Sequence, residues 1–158
     1  MSTVRIMVGL PGSGKDFYIG LNKKPDDIVI SSDDIRTELG DVNDQTKNKL
    51  VFKIFYDRYE QALKTGKDIW INATNVSVKN RSRAIHMAKK YNYVASAIVL
   101  TVPIETCIER DKSRDRTVGE NIIEKFYSRF ELVSFEEGFD NIINIQPDLT
   151  EYELEEER

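Results

Sequence analysis

The segment from Gly9 to Lys15 constrains this chain more than any other part of its sequence. It reads GLPGSGK, follows the apolar run Val4–Val8 and precedes a helix-like stretch, which is the G-x-x-x-x-G-K pattern in its required context. The glycines let the backbone curl so that N–H groups point inward, and a helix starting near Gly14 adds its positive end. Lys15 can then reach the β- and γ-phosphates. The segment therefore predicts a P-loop that binds a nucleoside triphosphate.

The residue after the lysine departs from the usual pattern, because Asp16 stands where a Ser or Thr hydroxyl normally binds Mg²⁺. A carboxylate is a good Mg²⁺ ligand, but it also places negative charge beside the polyphosphate. Asp16 either binds the metal, directly or through water, or weakens metal and nucleotide binding. We expect ATP and Mg²⁺ to bind, with Asp16 as the metal ligand. The candidate nucleotide-binding residues of the loop are Gly9, Pro11, Gly12, Ser13, Gly14, Lys15 and Asp16.

Short apolar runs alternate with longer helical segments along the rest of the chain. Continuous apolar strands separated by helices favour an α/β fold with a parallel sheet covered on both faces. The predicted strands cover residues 4–8, 28–30, 69–71, 97–102 and, more weakly, 141–145. The predicted helices run from a cap at Asp44 to about Thr65, from a cap at Ser77 to about Tyr91, onward from Pro103, and over 120–133.

Charge is unevenly distributed along the 158 residues. The net charge is −4, but residues 148–158 alone hold six acids and one base. The remainder has 21 acidic and 22 basic residues, so a local basic groove for a nucleic acid remains open. We expect one domain over 1–147, followed by an acidic tail over 148–158 that is solvated and frayed. The alternatives for the tail are a docking segment and a nucleic-acid mimic.

Cysteine usage and hydropathy favour the cytoplasm. The single cysteine, Cys107, cannot form an internal disulfide, and no apolar run approaches the roughly 20 residues that cross a bilayer. The N-terminus shows no secretory-signal pattern. Cys107 lies in a helix-like stretch with Ile104 and Ile108 and is interpreted as a small packed residue rather than a reactive thiol. His86 is interpreted as structural, since it has no Cys, Asp or Glu partners at ligand spacing.

A cluster of polar residues, Ser31-Ser-Asp-Asp-Ile-Arg36, follows the second predicted strand. Ligands bind beyond the carboxyl ends of parallel strands, and a carboxylate there can accept a proton from an attacking hydroxyl. Arg36, three residues after Asp33, would face the same cleft on a helix. The alternative is that Asp33 merely caps a short helix from Asp34 to Leu39. This stretch alone does not choose between the two interpretations.

A basic segment, Arg110-Asp-Lys-Ser-Arg-Asp-Arg116, follows the fourth predicted strand and its helix. Because Asp111 and Asp115 are interleaved with the four bases, the simplest interpretation is a solvated helix end with surface salt bridges.

Four motifs taken together give a more specific result. In order, GLPGSGK, SSDDIR, ATNVSVKNR and RDKSRDR resemble the 5′-polynucleotide kinase domain of bacteriophage and repair enzymes. That domain belongs to the P-loop kinase group, which includes nucleoside-monophosphate kinases and zeta toxins. The resemblance covers roughly residues 3 to 130. It implies a P-loop NTPase fold whose five-stranded parallel sheet has the order 2-3-1-4-5, with an arginine-bearing lid.

The resemblance also implies roles for individual residues. Asp33 would be the general base, and Arg36 would hold the acceptor phosphate or the transferring phosphoryl group. Arg114 would be the lid arginine that stabilises the γ-phosphoryl oxygens, with Arg110 as a second nucleotide-binding candidate. The implied catalytic set is Lys15, Asp33, Arg36 and Arg114. Thr74 and Asn75 would line the cleft beside Asp33 and Arg36, with Arg81 on the helix behind them.

One departure from the family pattern lies in the third motif. Ala73 stands where the family often has an acid, and the missing charge is hypothetically supplied by Asp16.

The resulting expectation is ATP-dependent phosphorylation of the 5′-hydroxyl of DNA or RNA. Two alternatives remain open on the same scaffold. One is a kinase of a small molecule such as a nucleoside or sugar. The other is an inactive P-loop module that binds nucleotide or nucleic acid without turnover, which Asp16 and Ala73 would favour.

Overall fold

The computed structural model describes residues 1–40, 47–115 and 117–156. Strands and helices alternate through most of these residues, as the apolar runs predict. The strands are β1 (Thr3–Val8), β2 (Ile28–Ser31), β3 (Ile69–Asn72), β4 (Val94–Leu100), β5 (Asn141–Ile145) and β6 (Glu151–Glu153). The helices are α1 (Lys15–Asn22), α2 (Ser32–Glu38), α3 (Asn48–Leu63), α4 (Val78–Lys90), α5 (Ile104–Lys112) and α6 (Glu120–Ser128). No helix among these residues is long and apolar enough to cross a membrane.

The sheet has the order β2-β3-β1-β4-β5-β6. Its first five strands are parallel and confirm the predicted order. The sixth strand corrects the prediction of a frayed tail. β6 pairs antiparallel with β5, and the Tyr18 hydroxyl donates a hydrogen bond to Glu151 Oε1 at 2.8 Å. Residues 148–156 are solvent-exposed, as expected, but the backbone of residues 151–153 is paired and satisfies the free edge of β5.

Several predicted element boundaries needed adjustment. The Ser77 hydroxyl accepts a hydrogen bond from the backbone N–H of Asn80 and caps α4, as predicted. The last helix ends at Ser128, not at residue 133, and β4 begins three residues earlier than its most apolar run. The predicted cap at Asp44 lies outside the described residues.

Apolar side chains cover both faces of the sheet, which explains the continuous apolar strands. One layer packs α3 and α4 against one face of the sheet, where Phe55, Tyr59 and Ile85 are buried. The other places α1 against Met7 and Trp70. This sandwich fixes the carboxyl ends of β1, β2 and β3 side by side, and the candidate site is built there.

Candidate active site

A cleft of about 710 Å³ lies beyond the carboxyl ends of the central strands. Every predicted site residue except Gly9, Ser13 and Asn75 contributes to its lining. The predicted site residues that line it are Pro11, Gly12, Gly14, Lys15, Asp16, Asp33, Arg36, Thr74, Arg110 and Arg114. The structure therefore brings the four sequence motifs together in one place.

The loop between β1 and α1 forms a tight cradle. Gly12 and Gly14 have φ angles of +84° and +98°, in the left-handed region that favours glycine. A Cβ added to Gly12 would lie 2.6 Å from the carbonyl oxygen of Cys107, so a side chain is excluded there by α5 as well as by the backbone conformation. Gly14 is the N-cap of α1, which aims the free N–H groups of its first turn toward the cleft.

Lys15 lies over this cradle. Its Nζ donates hydrogen bonds to the carbonyl oxygens of Gly9 and Leu10 at 3.1 and 2.9 Å. Removal of the ammonium from water lowers the pKa of Lys15 from 10.5 to about 8, although the nearby carboxylates of Asp33 and Asp16 act in the opposite direction. A bound polyanion would favour the charged form and raise this pKa. The loop, the helix end and the ammonium thus fit a triphosphate.

The Asp16 carboxylate has a fixed partner. Asn72, the last residue of β3, donates from Nδ2 to Asp16 Oδ1 at 2.5 Å. Because Ala73 follows Asn72 directly, Asp16 places its charge beside the position where the family often has an acid. The sequence motifs did not predict Asn72. Its position at the end of a strand, two residues before Thr74, was the one sequence feature that pointed to a place in the cleft.

Negative charge accumulates between the P-loop and α2. Partial desolvation, and then repulsion from Asp16 and Asp33, raises the pKa of Asp34. Such a cluster is stabilised by a nearby cation. Nevertheless, the described residues contain no group of three or more His, Cys, Asp or Glu side chains placed to hold a metal ion. The fit to Mg²⁺ therefore rests on Asp16 together with phosphate oxygens, which suits an ion that keeps few protein ligands.

Asp33 is available for chemistry. The capping role considered for it is wrong, because the N-cap of α2 is Ser31, whose hydroxyl accepts from the N–H of Asp34 at 3.2 Å. The Asp33 side chain is 64% exposed and accepts a hydrogen bond from Arg36 Nη1 at 3.1 Å. Its carboxylate is thus oriented but open to the cleft.

Arg36 is nearly buried and held on several sides. Its Nη2 donates to Asn48 Oδ1 at 2.8 Å, and its guanidinium lies 5.8 Å from the centre of the Phe52 ring. Its Nε has no hydrogen-bond partner among the described residues. Asn48 and Phe52, both in α3, line the cleft. The sequence did not predict either of them, because neither belongs to a recognisable motif. They fix the guanidinium that orients Asp33.

Of the two predicted site residues that follow β3, Thr74 and Asn75, one lines the cleft and the other does not. Thr74 lines the cleft, and its carbonyl oxygen accepts from the N–H of Gly9 at 3.0 Å. Asn75 does not line the cleft, which corrects the expectation. Its φ angle of +49° turns the side chain inward, where Nδ2 donates to the carbonyl oxygens of Met7 and Ala73 at 2.8 and 3.3 Å. Asn75 ties the β3 exit to β1 and supports the P-loop from behind.

The predicted lid begins at the end of α5. Arg110 Nη1 lies 3.4 Å from the carbonyl oxygens of Gly12 and Ser13, and Arg114 faces the same cleft. Among the residues that the structure describes, Asp111 forms no salt bridge, which corrects the simplest interpretation of this segment. It is buried, and its two oxygens accept from the N–H groups of Val118 and Gly119 at 2.9 Å each. Asp111 therefore closes the loop between α5 and α6. Arg116 lies outside the described residues.

Sheet order, phosphate cradle and arginine-bearing lid together define a P-loop domain of the kinase type. The chain belongs to the family AAA_33, described as an AAA domain, whose sequence pattern matches residues 4–133.

Two viral proteins are similar to this chain. It is 27% identical over 142 residues to a protein of Autographa californica nuclear polyhedrosis virus with the provisional name bifunctional polynucleotide kinase/RNA ligase; the match covers 79% of this chain and 20% of that protein. It is 29% identical over 148 residues to a protein of Acanthamoeba polyphaga mimivirus, provisionally named bifunctional polynucleotide phosphatase/kinase, covering 87% and 31%. The chain thus spans less than a third of the length of either relative.

Among solved structures, a chain of the Pnkp1/Rnl/Hen1 RNA repair complex superposes with a TM-score of 0.70 at 21% sequence identity. The superposition covers 81% of this chain and 43% of that one. At this identity the likeness supports the shared fold alone.

Proposed function

We propose that this chain transfers the γ-phosphoryl group of ATP to the 5′-hydroxyl of a polynucleotide. The observation that carries the proposal is the placement of the open Asp33 carboxylate in one cleft with Lys15 and the P-loop. Among the nearby carboxylates, that of Asp33 raises the pKa of Lys15 the most. A proton acceptor beside a triphosphate cradle is what a kinase needs. The names of the viral relatives supply the acceptor class.

The donor side binds and orients the triphosphate. The free N–H groups at the start of α1 would hold phosphate oxygens, and Lys15 would leave the carbonyl oxygens of Gly9 and Leu10 to reach the terminal phosphates. Arg114, which lines the cleft, would offset charge on the γ-phosphoryl oxygens, and Arg110 would support the loop through its contact with the carbonyl oxygen of Gly12. Bound Mg²⁺ supplies charge neutralisation of the phosphates, and Asp16 is the side chain that would hold it.

The acceptor side moves one proton. Asp33 accepts the proton of the 5′-hydroxyl, and the oxygen forms a bond to the γ-phosphorus in line with the leaving oxygen. The bond between the γ-phosphorus and the β–γ bridging oxygen breaks, so that ADP leaves with the bonding electrons. Arg36 would hold the Asp33 carboxylate in position during this step.

A panel of acceptors tests the proposal. Labelled γ-phosphate from Mg·ATP is followed onto a 5′-hydroxyl DNA strand, the matching RNA strand, a nucleoside and a sugar. Transfer to either strand at a rate well above that to the nucleoside is the expected result. Preferential transfer to the nucleoside or sugar would indicate a small-molecule kinase. ATP binding without transfer to any acceptor, with Mg²⁺ or Mn²⁺, would indicate an inactive binding module.

Replacement of Asp16 by Ser is expected to leave Mg·ATP binding at least as tight as in the unmodified chain. The Ser hydroxyl is the ordinary Mg²⁺ ligand at this position, and the change removes a negative charge next to the phosphates. Calorimetric titration with Mg·ATP measures the affinity. A large loss would show that Asp16, held by Asn72, is an adapted metal ligand that Ser cannot replace.

Binding of ATP is expected to weaken as the pH rises through about 8. The pKa of Lys15 in the free protein is about 8, and the bound polyphosphate raises it, so the complex takes up a proton above this pH. Well above the pKa, the dissociation constant should increase by up to about tenfold per pH unit. Calorimetry at pH 9 in buffers of different ionisation enthalpy should show that close to one proton is taken up for each ATP bound. Lys15→Arg is the control, because its guanidinium stays charged; equal uptake in that variant would assign the proton elsewhere.

A further inference from the structure

Helix α6 presents one face to the cleft that no motif predicted. Ile122, Lys125, Phe126 and Arg129 recur at i, i+3, i+4 and i+7, and all four line the cleft. The adjacent side of the helix buries Ile123 in the core. Two cations and a ring are therefore part of the cleft wall, and the remaining question is which bound molecule they face.

The two ends of α6 show that it spans the cleft from the lid to the acceptor side. At its start, the N–H of Gly119 is bound to Asp111 at the base of the lid. Just beyond its end, the N–H of Glu131 donates to the carbonyl oxygen of Val76 at 2.7 Å. Val76 lies in the loop after β3, and β3 neighbours β2, whose exit carries Asp33. Arg129 is thus on the β3 side of the cleft, whereas the start of α6 is beside the lid.

No carboxylate of the described residues is paired with the two cations of this face. The side chains of Lys125 and Arg129 are exposed, and neither forms an ion pair or hydrogen bond with any residue of the three described ranges. Arg36, in contrast, is paired with Asp33. Two unpaired cations one helical turn apart form a positive ledge that suits a ligand with repeated negative charge.

Aromatic rings accompany the ledge. Phe126 of α6 is partly buried against the core, and it lines the cleft together with Phe52 of α3. Cations that follow a backbone next to rings that accept stacked bases are the usual features of a single-strand binding groove. A nucleoside or sugar has no second charge for the ledge to bind.

We propose that Lys125 and Arg129 form a subsite for the internucleotide phosphates of the acceptor strand, beyond its 5′-terminal nucleotide. This inference rests on the proposed function and narrows its substrate class to single-stranded ends several nucleotides long. The ledge extends the acceptor site from the reacting hydroxyl along the strand. Affinity for the acceptor therefore increases with each internucleotide phosphate until both Lys125 and Arg129 are paired with one.

A length series tests the subsite. The value of kcat/KM is measured for a nucleoside 3′-phosphate, a dinucleotide and a tetranucleotide, each with a 5′-hydroxyl. For the double variant Lys125→Gln/Arg129→Gln, the ratio of the tetranucleotide value to the nucleoside 3′-phosphate value should fall roughly tenfold. The slope of log kcat/KM for the tetranucleotide against log salt should decrease by about 1.4, because single strands release about 0.7 counterion per phosphate contacted.

The matched control is Lys53→Gln/Arg58→Gln, which removes the same two charge types from exposed positions outside the cleft. Its length ratio should equal that of the unmodified chain. The subsite is overturned if the Lys125→Gln/Arg129→Gln variant is active but keeps the length ratio and salt slope of the unmodified chain. An equal fall of the length ratio in the control variant overturns it as well. If the unmodified chain phosphorylates no acceptor of the series, the proposed function itself has failed, and the subsite with it.

Discussion

Asp33→Asn lowers the rate of phosphoryl transfer to a 5′-hydroxyl strand by about 10²- to 10⁴-fold, the usual contribution of a general base. The amide cannot take the proton of the attacking hydroxyl, yet it has nearly the same size and can still contact Arg36. The Asp33 side chain is largely exposed, so folding should be unaffected. Single-turnover transfer of labelled phosphate measures the chemical step, and calorimetry checks that Mg·ATP still binds.

Asp34→Asn provides the comparison for that experiment. The two acids are adjacent on α2 and both line the cleft, but only Asp33 is held by Arg36. A far smaller loss is expected for Asp34→Asn. Full activity in Asp33→Asn would remove this residue from the mechanism, and equal losses in both variants would mean that the cleft needs negative charge rather than one particular base.

Arg81→Met is expected to lower the free energy of unfolding by about 3–5 kcal/mol, which is the usual result of removing one partner of a buried ion pair. Arg81 is fully buried, and its Nε donates to Glu137 Oε1 at 2.7 Å. The guanidinium also donates to the backbone carbonyl oxygens of Asn75, Glu131 and Leu132. The variant therefore leaves the Glu137 carboxylate without its counter-charge and several backbone carbonyl groups without their hydrogen-bond donor. Thermal unfolding should show a midpoint lower by about 6–20 °C.

The double variant Arg81→Met/Glu137→Gln separates the ion pair from the other bonds of Arg81. Removing the stranded charge should recover part of the stability lost in Arg81→Met, while the loss of the backbone contacts remains. A decrease below about 1 kcal/mol in the single variant would contradict this account, because it would mean that water reaches Glu137 once the arginine is gone.

Local patterns and the family resemblance were sufficient to predict five of the strands and the phosphate cradle. The P-loop could be located because its glycines, its lysine and its position between β1 and α1 are all local in sequence. Five strands followed from the apolar runs, and their order followed from the family resemblance. Asp33 was placed beside the P-loop because β2 and β1 end at the same edge of a parallel sheet.

Features that depend on distant contacts could not be predicted in the same way. The pairing of Asn72 with Asp16 joins residues 56 positions apart, and the inward turn of Asn75 depends on its contact with Met7. The tail was misjudged because its composition is acidic, whereas its order comes from backbone pairing with β5. The lid segment was misjudged because Asp111 looks like any charged helix residue until its loop partners are known.

Equilibrium dialysis with Mg·ATP tests most directly whether the loop from Gly9 to Lys15 holds a triphosphate for transfer. At neutral pH and millimolar nucleotide, the chain is predicted to take up one ATP saturably, and Lys15→Met should abolish most of that uptake. An absence of saturable binding, or binding that is unchanged in Lys15→Met, would contradict the account at its base.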